Sequence, residues 1–391
     1  MSPLAALRRE GEEVVSLARR ILDGEDLRAS ELAGASLLAP MVGAPHDPVH
    51  HAEGDPATHT AMVVRGTVDH PAFDGLPGPH RFALVLAALL HDCAKPETTD
   101  VVDGRVGHPG HSSRGAKKAR SSLYAAGVDP WVREAVATLC RRHMQPHHAL
   151  ERGDDVSLLR WVAAISVEVP FRLLTVLAHA DATGRLPARN PEVPALLEAF
   201  AEEHGVLDGP WEFADANARR SCFRDEDRDP RWPTGVPEEG PTLTVTSGLP
   251  GSGKSTFARA VEADGGVRLS VEDAMDRGVE RGTAVQECKE RLRVALREGR
   301  DVVWDATMVT RPMRGGVLGI GESYGARTRI VSVEVPESER HARNAARREP
   351  VPDAAVVGMI RSWDVPTYDE ALDVEGRPQP PTVAPTLSAG P

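Results

Sequence analysis

Two groups of residues in this chain have types and spacings suited to phosphate chemistry. The first is the run from 248 to 256, Gly-Leu-Pro-Gly-Ser-Gly-Lys-Ser-Thr, which matches G-x-x-x-x-G-K-[ST]. A β-branched run, Leu243 to Thr246, precedes it, and a helical pattern opens at Phe257. Strand, glycine-rich turn and helix together surround a phosphate chain with backbone N–H groups and a helix N-terminus. Gly248, Gly251, Ser252, Gly253 and Thr256 would form the cradle. Lys254 would reach the β- and γ-phosphates and Ser255 would ligate Mg²⁺, so ATP or another NTP with Mg²⁺ is the expected ligand.

The second group is histidine-rich. All but two of the 15 histidines, His204 and His341, fall before residue 180. The pair His91-Asp92 closes a strongly apolar run, and His59, His111, His143 and Asp181 lie within about a hundred residues of it. Neutral imidazoles and carboxylates are ligands for divalent transition metals. Neighbours on a helix point roughly 100° apart, so His91 and Asp92 can share a site only if other elements bring ligands to it.

The elements that must position these groups differ in the two halves. From Thr58 to about Asp181 the apolar spacing is helical, as it is in Glu10–Leu22 before it, and little alternates as strands do. Residues 1–185 are therefore expected to form an all-helical domain. Residues 186–240 carry Pro187, Pro191 and Pro194, a short helix near 195–204, and a charged Pro/Gly-rich stretch from Asp225 that reads as a linker. Residues 241–375 alternate strands (Leu243–Thr246, Val267–Leu269, Asp301–Trp304, Thr328–Val335) with helices, the pattern of a doubly wound parallel sheet. The Pro-rich tail, 376–391, is expected to be disordered.

Composition narrows the function classes. The net charge of −12 argues against sequence-reading duplex binding, which needs a basic footprint, but leaves room for gripping a nucleic-acid end through local arginines. Four scattered cysteines give neither a disulfide framework nor a thiolate zinc site. There is no apolar run of 18 residues and no signal-peptide core, so no membrane association and a cytoplasmic location are expected. Lysine is scarce, and two of the five, Lys95 and Lys254, fall within the two motif groups.

Residues 45–185 resemble the HD phosphohydrolase superfamily, through the run His51-Ala52-Glu53-Gly54-Asp55 leading to His59-Thr60, then His91-Asp92-x-x-Lys95-Pro96 and Gly110-His111. The latter two runs look like the HD domains attached to tRNA nucleotidyltransferases. The resemblance implies metal ligation by His59, His91, Asp92 and Asp181, with His111 and His143 available for a second ion of the Mn, Fe, Co or Ni type. Lys95, Arg114 or Arg142 would hold phosphate oxygens, while His50, His147 and His148 have no assigned part.

In the C-terminal half, Ser270-Val271-Glu272-Asp273-Ala274-Met275 is similar to the S-x-D-x-x-R stretch of polynucleotide kinases. Strict counting puts Glu272 at the catalytic carboxylate, whereas the following Ala-Met favours Asp273, and Asp273 is the preferred general base. No arginine stands three residues after either, and Arg277 is the nearest. Asp305-Ala306-Thr307 resembles D-A-T-N with Met308 in place of Asn. Arg340, Arg343, Asn344, Arg347 and Arg348, followed by Val351-Pro352, resemble the lid of these kinases, with Arg343 and Arg347 one turn apart to clamp phosphates.

Together the halves resemble the bacterial HD-type bifunctional polynucleotide kinases. That implies healing of RNA or DNA ends: removal of a 2′- or 3′-phosphate or 2′,3′-cyclic phosphate at one site, phosphorylation of a 5′-hydroxyl at the other, and a separate ligase as partner. RNA against DNA preference and dimerisation stay open. The rival readings are a small-molecule kinase of gluconate or adenylylsulfate type fused to an HD nucleotide hydrolase, and an NTP-sensing regulatory module. The absence of N-K-x-D makes a GTPase switch a poor fit.

Overall fold

The computed structural model describes residues 2–224, 227–235 and 240–379. The N-terminal half is built from helices α1 (Pro3–Leu22), α2 (Pro56–Val68), α3 (Gly78–Leu90), α4 (Lys95–Thr98), α5 (His111–Ala125), α6 (Pro130–Arg142), α7 (Asp155–Glu168) and α8 (Phe171–Thr183). Short 3₁₀ turns intervene at Ala29–Gly34, Ala39–Met41 and Pro146–Arg152. One element was not anticipated: strands β1 (Asp100–Val102) and β2 (Arg105–Gly107) pair as an antiparallel hairpin.

α3 is the centre of this half. Every side chain from Ala83 to Leu90 is buried, as expected of a Leu/Ala-rich helix packed on all sides. Caps fix where the neighbouring helices begin: Asp55 accepts from Thr58 N ahead of Pro56, and Asp129 from Trp131 N and Val132 N ahead of Pro130. At the end of α8, Gly184 passes so close to α2 that a Cβ would lie 2.7 Å from Ala180 O and 3.0 Å from Val63 N. Only glycine lets these two helices approach so closely, and the approach sets Asp181 beside His59.

The stretch expected as a connector is partly structured. Helix α9 (Glu192–Glu203) buries Leu197 and Ala201 in the helical core, and α10 (Ala216–Phe223) packs Cys222 on Ala163 and Ala164 of α7. Residues 225, 226 and 236–239 of the expected linker lie outside the described residues.

The C-terminal half is a five-stranded, all-parallel sheet in the order β4-β5-β3-β6-β7. Its strands are β3 (Thr242–Ser247), β4 (Val267–Ser270), β5 (Val302–Asp305), β6 (Arg327–Ser332) and β7 (Asp373–Glu375). The connecting helices are α11 (Lys254–Ala263), α12 (Val271–Asp276), α13 (Arg281–Arg297), α14 (Arg311–Ser323), α15 (Glu337–Ala345) and α16 (Asp353–Ser362). The chain leaves β3 for β4 and β5 on one side, then returns past β3 to β6 and β7, so the order reverses at β3. Ligand crevices in such sheets open at this reversal, beyond the strand C-termini, where residues 248–256 stand.

The tail expected from 376 begins in an ordered stretch. Arg377 lies over the Tyr368 ring and donates to Pro366 O, while residues 380–391 are outside the described residues. No single helix among the described residues is long and apolar enough to cross a membrane.

The halves also meet directly. Leu4 and Leu7 of α1 and Tyr124 and Ala125 of α5 form one buried cluster with Leu249, Val356, Ile360 and Trp363. Around it Arg133, fully buried, donates to both oxygens of Glu334 at 2.5 and 2.8 Å, and Arg8 donates to Glu337 at 2.6 Å.

Candidate metal centre and phosphate-loop pocket

The six expected ligands of the N-terminal half converge from five helices. His59 sits in the first turn of α2, His91 caps the C-terminus of α3 with Asp92 following, and His111 opens α5. His143 caps α6, and Asp181 is in the last turn of α8. All but His111 are at most 3% exposed.

A repeated local device orients three of the rings. His91 Nδ1, His111 Nδ1 and His143 Nδ1 each lie 2.8–2.9 Å from the carbonyl three residues back, those of Ala88, His108 and Cys140. His59 Nδ1 lies 3.0 Å from Gly184 O and 3.2 Å from Glu53 Oε1. Carbonyl and carboxylate oxygens only accept, so Nδ1 carries a hydrogen on all four rings and each Nε2 is left for a proton or an ion.

Those Nε2 atoms face carboxylates. Asp181 Oδ1 is 3.0 Å from His59 Nε2, and Asp92 Oδ2 is 3.2 Å from His91 Nε2. Asp92 Oδ1 is 3.3 Å from His111 Nε2 and 3.7 Å from His143 Nε2. The six fall into two sets of potential ligands, His59/His91/Asp181 and Asp92/His111/His143, beside a third made of His46, His51 and Glu53, and the ligand atoms within each set lie within 4.8 Å of one another. Asp92 stands between the first two sets, with one oxygen toward each. His91 Nε2 and Asp92 Oδ1 are buried without a hydrogen-bond partner, and lone pairs turned toward one another in a buried site call for a cation. The donor set therefore fits two divalent ions. A proton competes for one position: burial resists charge on His59, but the Asp181 and Glu53 carboxylates lift its pKa to about 9. For His143 burial prevails and, with His91 adjacent, lowers the pKa to about 3.

A cleft of about 160 Å³ adjoins these residues, and cations line it: Lys95, Arg185 and Arg189. Lys95 Nζ lies 2.6 Å from Asp92 Oδ2 and 2.9 Å from His46 Nε2. The other two arginines proposed from sequence are engaged elsewhere. Arg142 donates to Glu168 at 3.1 Å, and Arg114 to Glu97 O at 3.5 Å. Sequence reasoning gave His147 no part, yet its Nε2 lies 2.9 Å from Asp181 Oδ2; its four-residue spacing from His143 was the available signal. Glu53 was also missed. It accepts from His51 Nδ1 at 2.7 Å and Leu186 N at 2.8 Å besides facing His59, and the motif H-x-E carried it in plain view. His50 lines the cleft, and exposed His148 faces Glu151.

The second site is a cavity of about 1600 Å³ at the C-terminal end of β3. Gly251 has φ +86°, and a Cβ there would lie 2.6 Å from Arg340 O, so α15 packs directly on the loop. Gly248 stands at the loop's base, its N–H bonded to Thr307 O, while Gly251, Ser252, Gly253 and Thr256 line the cavity. Lys254 donates to Leu249 O at 2.9 Å, and burial lowers its pKa to about 8. Ser255 Oγ lies 3.2 Å from Asp305 Oδ1, the arrangement in which a hydroxyl and a carboxylate can share Mg²⁺. Ser252 Oγ is buried without a partner, as a phosphate-binding hydroxyl would be before its ligand arrives. Met308, where related loops are expected to carry Asn, adopts φ +33°; Ser247 Oγ and Arg314 Nη1 bond its carbonyl and hold the turn.

The two carboxylates weighed as the base are placed differently. Ser270 caps α12, accepting from Asp273 N at 3.1 Å and donating to Asp273 Oδ1 at 3.0 Å, while Arg268 donates to Asp273 Oδ2 at 2.7 Å. Asp273 is thus a capping residue turned to Arg268, and the neighbouring Glu272 lines the cavity. Arg277 is spent on Glu287 at 2.8 Å. Arg343 and Arg347 both line the cavity, but α15 ends at Ala345, so Arg347 reaches in from the turn beyond it rather than from the next helical turn. Arg347 pairs with Glu272 and Arg343 with Glu339. Arg340 is fully buried against Glu337 and Pro250 O and supports the loop from beneath.

Comparison with known proteins agrees with this division. Residues 57–186 match the family model described as HD domain, and residues 243–366 match one described as AAA domain. The chain is 30% identical over 177 residues to a Multifunctional CCA protein of Burkholderia mallei, covering 43% of this chain and 40% of that one. It is 35% identical over 143 residues to the protein of that name from Halorhodospira halophila, covering 34% and 32%. The chain thus spans well under half the length of these relatives.

Proposed function

We propose that this chain heals nucleic-acid ends. Residues up to 185 would form a metal-dependent phosphohydrolase, and residues 241–375 a 5′-hydroxyl kinase. The observation that carries the reading is the presence in one chain of two separate built centres for phosphate. One is a histidine-carboxylate cage beside a cationic cleft; the other is a phosphate loop with a pocket-lining carboxylate. The name carried by the relatives, Multifunctional CCA protein, supports a substrate with an RNA end.

In the kinase half the free chain holds its reacting groups apart. Glu272 and Arg347 neutralise one another across the cavity. The γ-phosphate of an NTP competes for the Arg347 guanidinium, which frees Glu272 to take the proton of the acceptor 5′-hydroxyl. The O5′–Pγ bond then forms as the bond from Pγ to the β-phosphate oxygen breaks, and the nucleoside diphosphate leaves with that electron pair. Lys254, Arg343 and Arg347 oppose the charge on the transferring group, and Asp305 with Ser255 would hold Mg²⁺.

In the hydrolase half, His59, His91 and Asp181 would hold one divalent ion, His111 and His143 another, with Asp92 shared. Bound ions would neutralise phosphate charge and activate a water molecule for attack on phosphorus. Around them, backbone carbonyls fix the imidazole tautomers, Glu53 holds His59, and Lys95 and Arg185 offer positive charge to the remaining phosphate oxygens.

The test is one oligonucleotide with a 5′-hydroxyl and a 3′-phosphate or 2′,3′-cyclic phosphate, incubated with labelled ATP, Mg²⁺ and Mn²⁺. Label at the 5′ end with loss of the 3′-phosphate supports the reading. No label transfer to the strand overturns the kinase half, and an intact 3′-phosphate overturns the other.

A further inference from the structure

The kinase cavity extends beyond the phosphate loop along one face of α13. Arg281, Val285 and Lys289 follow at four-residue intervals, and all three line it. Two observations set this face apart. Arg281 and Lys289 are the α13 cations that line the cavity, and among the described residues neither has a carboxylate partner, whereas Arg277 pairs with Glu287 and Arg293 with Glu290. Aliphatic and thioether side chains also stay uncovered around them: Met275 of α12 is 42% exposed and Met313 of α14 is 38% exposed, and both line the same cavity. Trp304 contributes to the lining too, and its buried indole Nε1 has no acceptor among the described residues.

Arg281 and Lys289 are eight residues apart, roughly 12 Å along the helix axis. That separation suits two phosphates of a chain rather than the single phosphate of a small metabolite. Uncovered methionines and Val285 suit the faces of sugars and bases. At about 1600 Å³ the cavity exceeds the roughly 300–1,000 Å³ typical of small-molecule sites, leaving room for an acceptor strand beside the nucleotide.

Resting on the kinase reading above, we infer that Arg281 and Lys289 form the acceptor subsite: they bind two backbone phosphates of a single-stranded oligonucleotide, two nucleotides apart, and deliver its 5′-hydroxyl to Glu272. They replace the arginine absent three residues after the carboxylate. The preferred acceptor is therefore a strand of several nucleotides, not a mononucleotide.

The experiment compares a 5′-hydroxyl nucleoside 3′-monophosphate, a dinucleotide and a hexanucleotide as acceptors for the full-length protein and for Arg281→Gln, Lys289→Gln and the double variant. For the unaltered protein KM should fall at least about tenfold from mononucleotide to hexamer. In the double variant the hexamer KM should rise by about that factor, with kcat and the KM for ATP changed less than twofold. The salt dependence of hexamer binding should lose roughly 0.7 in log–log slope per cation removed. The charge-reversed Lys289→Glu should be worse than Lys289→Gln, an ordering that a purely structural role would not give. An unchanged hexamer KM in the double variant overturns the subsite while leaving the kinase reading intact. An equal loss with the mononucleotide overturns the strand. Failure of the unaltered protein to phosphorylate any of the three removes both readings together.

Discussion

The two centres handle their charges in opposite ways. The histidine-carboxylate cage is nearly sealed, and the backbone itself orients its rings through Ala88, His108, Cys140 and Gly184. The phosphate-loop cavity is open, and its charges rest on partners that must let go. Arg347 leans on Glu272, Arg343 on Glu339, and Lys254 on a loop carbonyl. A buried lone pair cannot find water, so the first site is built around the cations it will hold. An exposed ion pair contributes about 1 kcal/mol or less, so the second site can exchange its partners for a triphosphate at little cost. One centre is prearranged, and the other would be assembled by its ligand.

This contrast can be broken most sharply at Glu272, the carboxylate proposed as the kinase base. Glu272→Gln should lower phosphoryl transfer by about 10²–10⁴-fold at saturating ATP. Asp273→Asn, which alters a helix cap and an Arg268 contact, should leave transfer within about tenfold while lowering the melting temperature slightly. Steady-state rates with a labelled oligonucleotide compare the two, and a larger loss from Asp273→Asn would return the base to that residue.

At the prearranged centre the sharpest probe is Glu53, which faces His59 Nδ1 at 3.2 Å. Glu53→Gln should weaken divalent-ion binding about 10–100-fold, measured by calorimetry with Mn²⁺, and leave ATP binding unaltered. Unchanged ion affinity would show that Gly184 O alone suffices to orient the ring.

The smallest expected effect is a pH dependence at Lys254. Burial lowers its pKa to about 8, so the free protein loses this charge as pH rises through 8. A bound triphosphate favours the charged form, so affinity is full below pH 8 and declines above it. ATP binding in the absence of divalent ions should weaken about tenfold between pH 7 and pH 9. Lys254→Arg, charged throughout, should flatten the profile; equal slopes for both proteins would assign the titration to another group.

Rare chemistry made the outline of both sites legible in the sequence. A G-x-x-x-x-G-K-[ST] run between a strand and a helix has one common structural meaning, and so many histidines crowded into one half point to metal. Which of Glu272 and Asp273 lines the cavity was not legible, because adjacent helical residues point about 100° apart and Ser270 caps α12 with Asp273 turned toward it. The same Ser-x-x-Asp spacing that suggested a catalytic residue is a capping motif. Arg347 was misplaced for a related reason, since α15 stops at Ala345 and its last turn carries no marked breaker. The contact between halves left no pattern at all. Leu249 sits at a variable position of the loop, and only the fold shows it buried against Leu4, Leu7 and Tyr124.

The central claim is that two independent centres act on opposite ends of a strand. It is tested most directly by resolving both end reactions on one oligonucleotide, by mass spectrometry, for Lys254→Ala and Asp92→Ala. Lys254→Ala should lose 5′-phosphorylation by about 10²–10³-fold while removing the 3′-phosphate at the normal rate. Asp92→Ala, deprived of the carboxylate that faces both ligand sets, should phosphorylate the 5′ end normally and leave the 3′ end intact. Loss of both reactions in either variant, with the protein folded, would contradict the account.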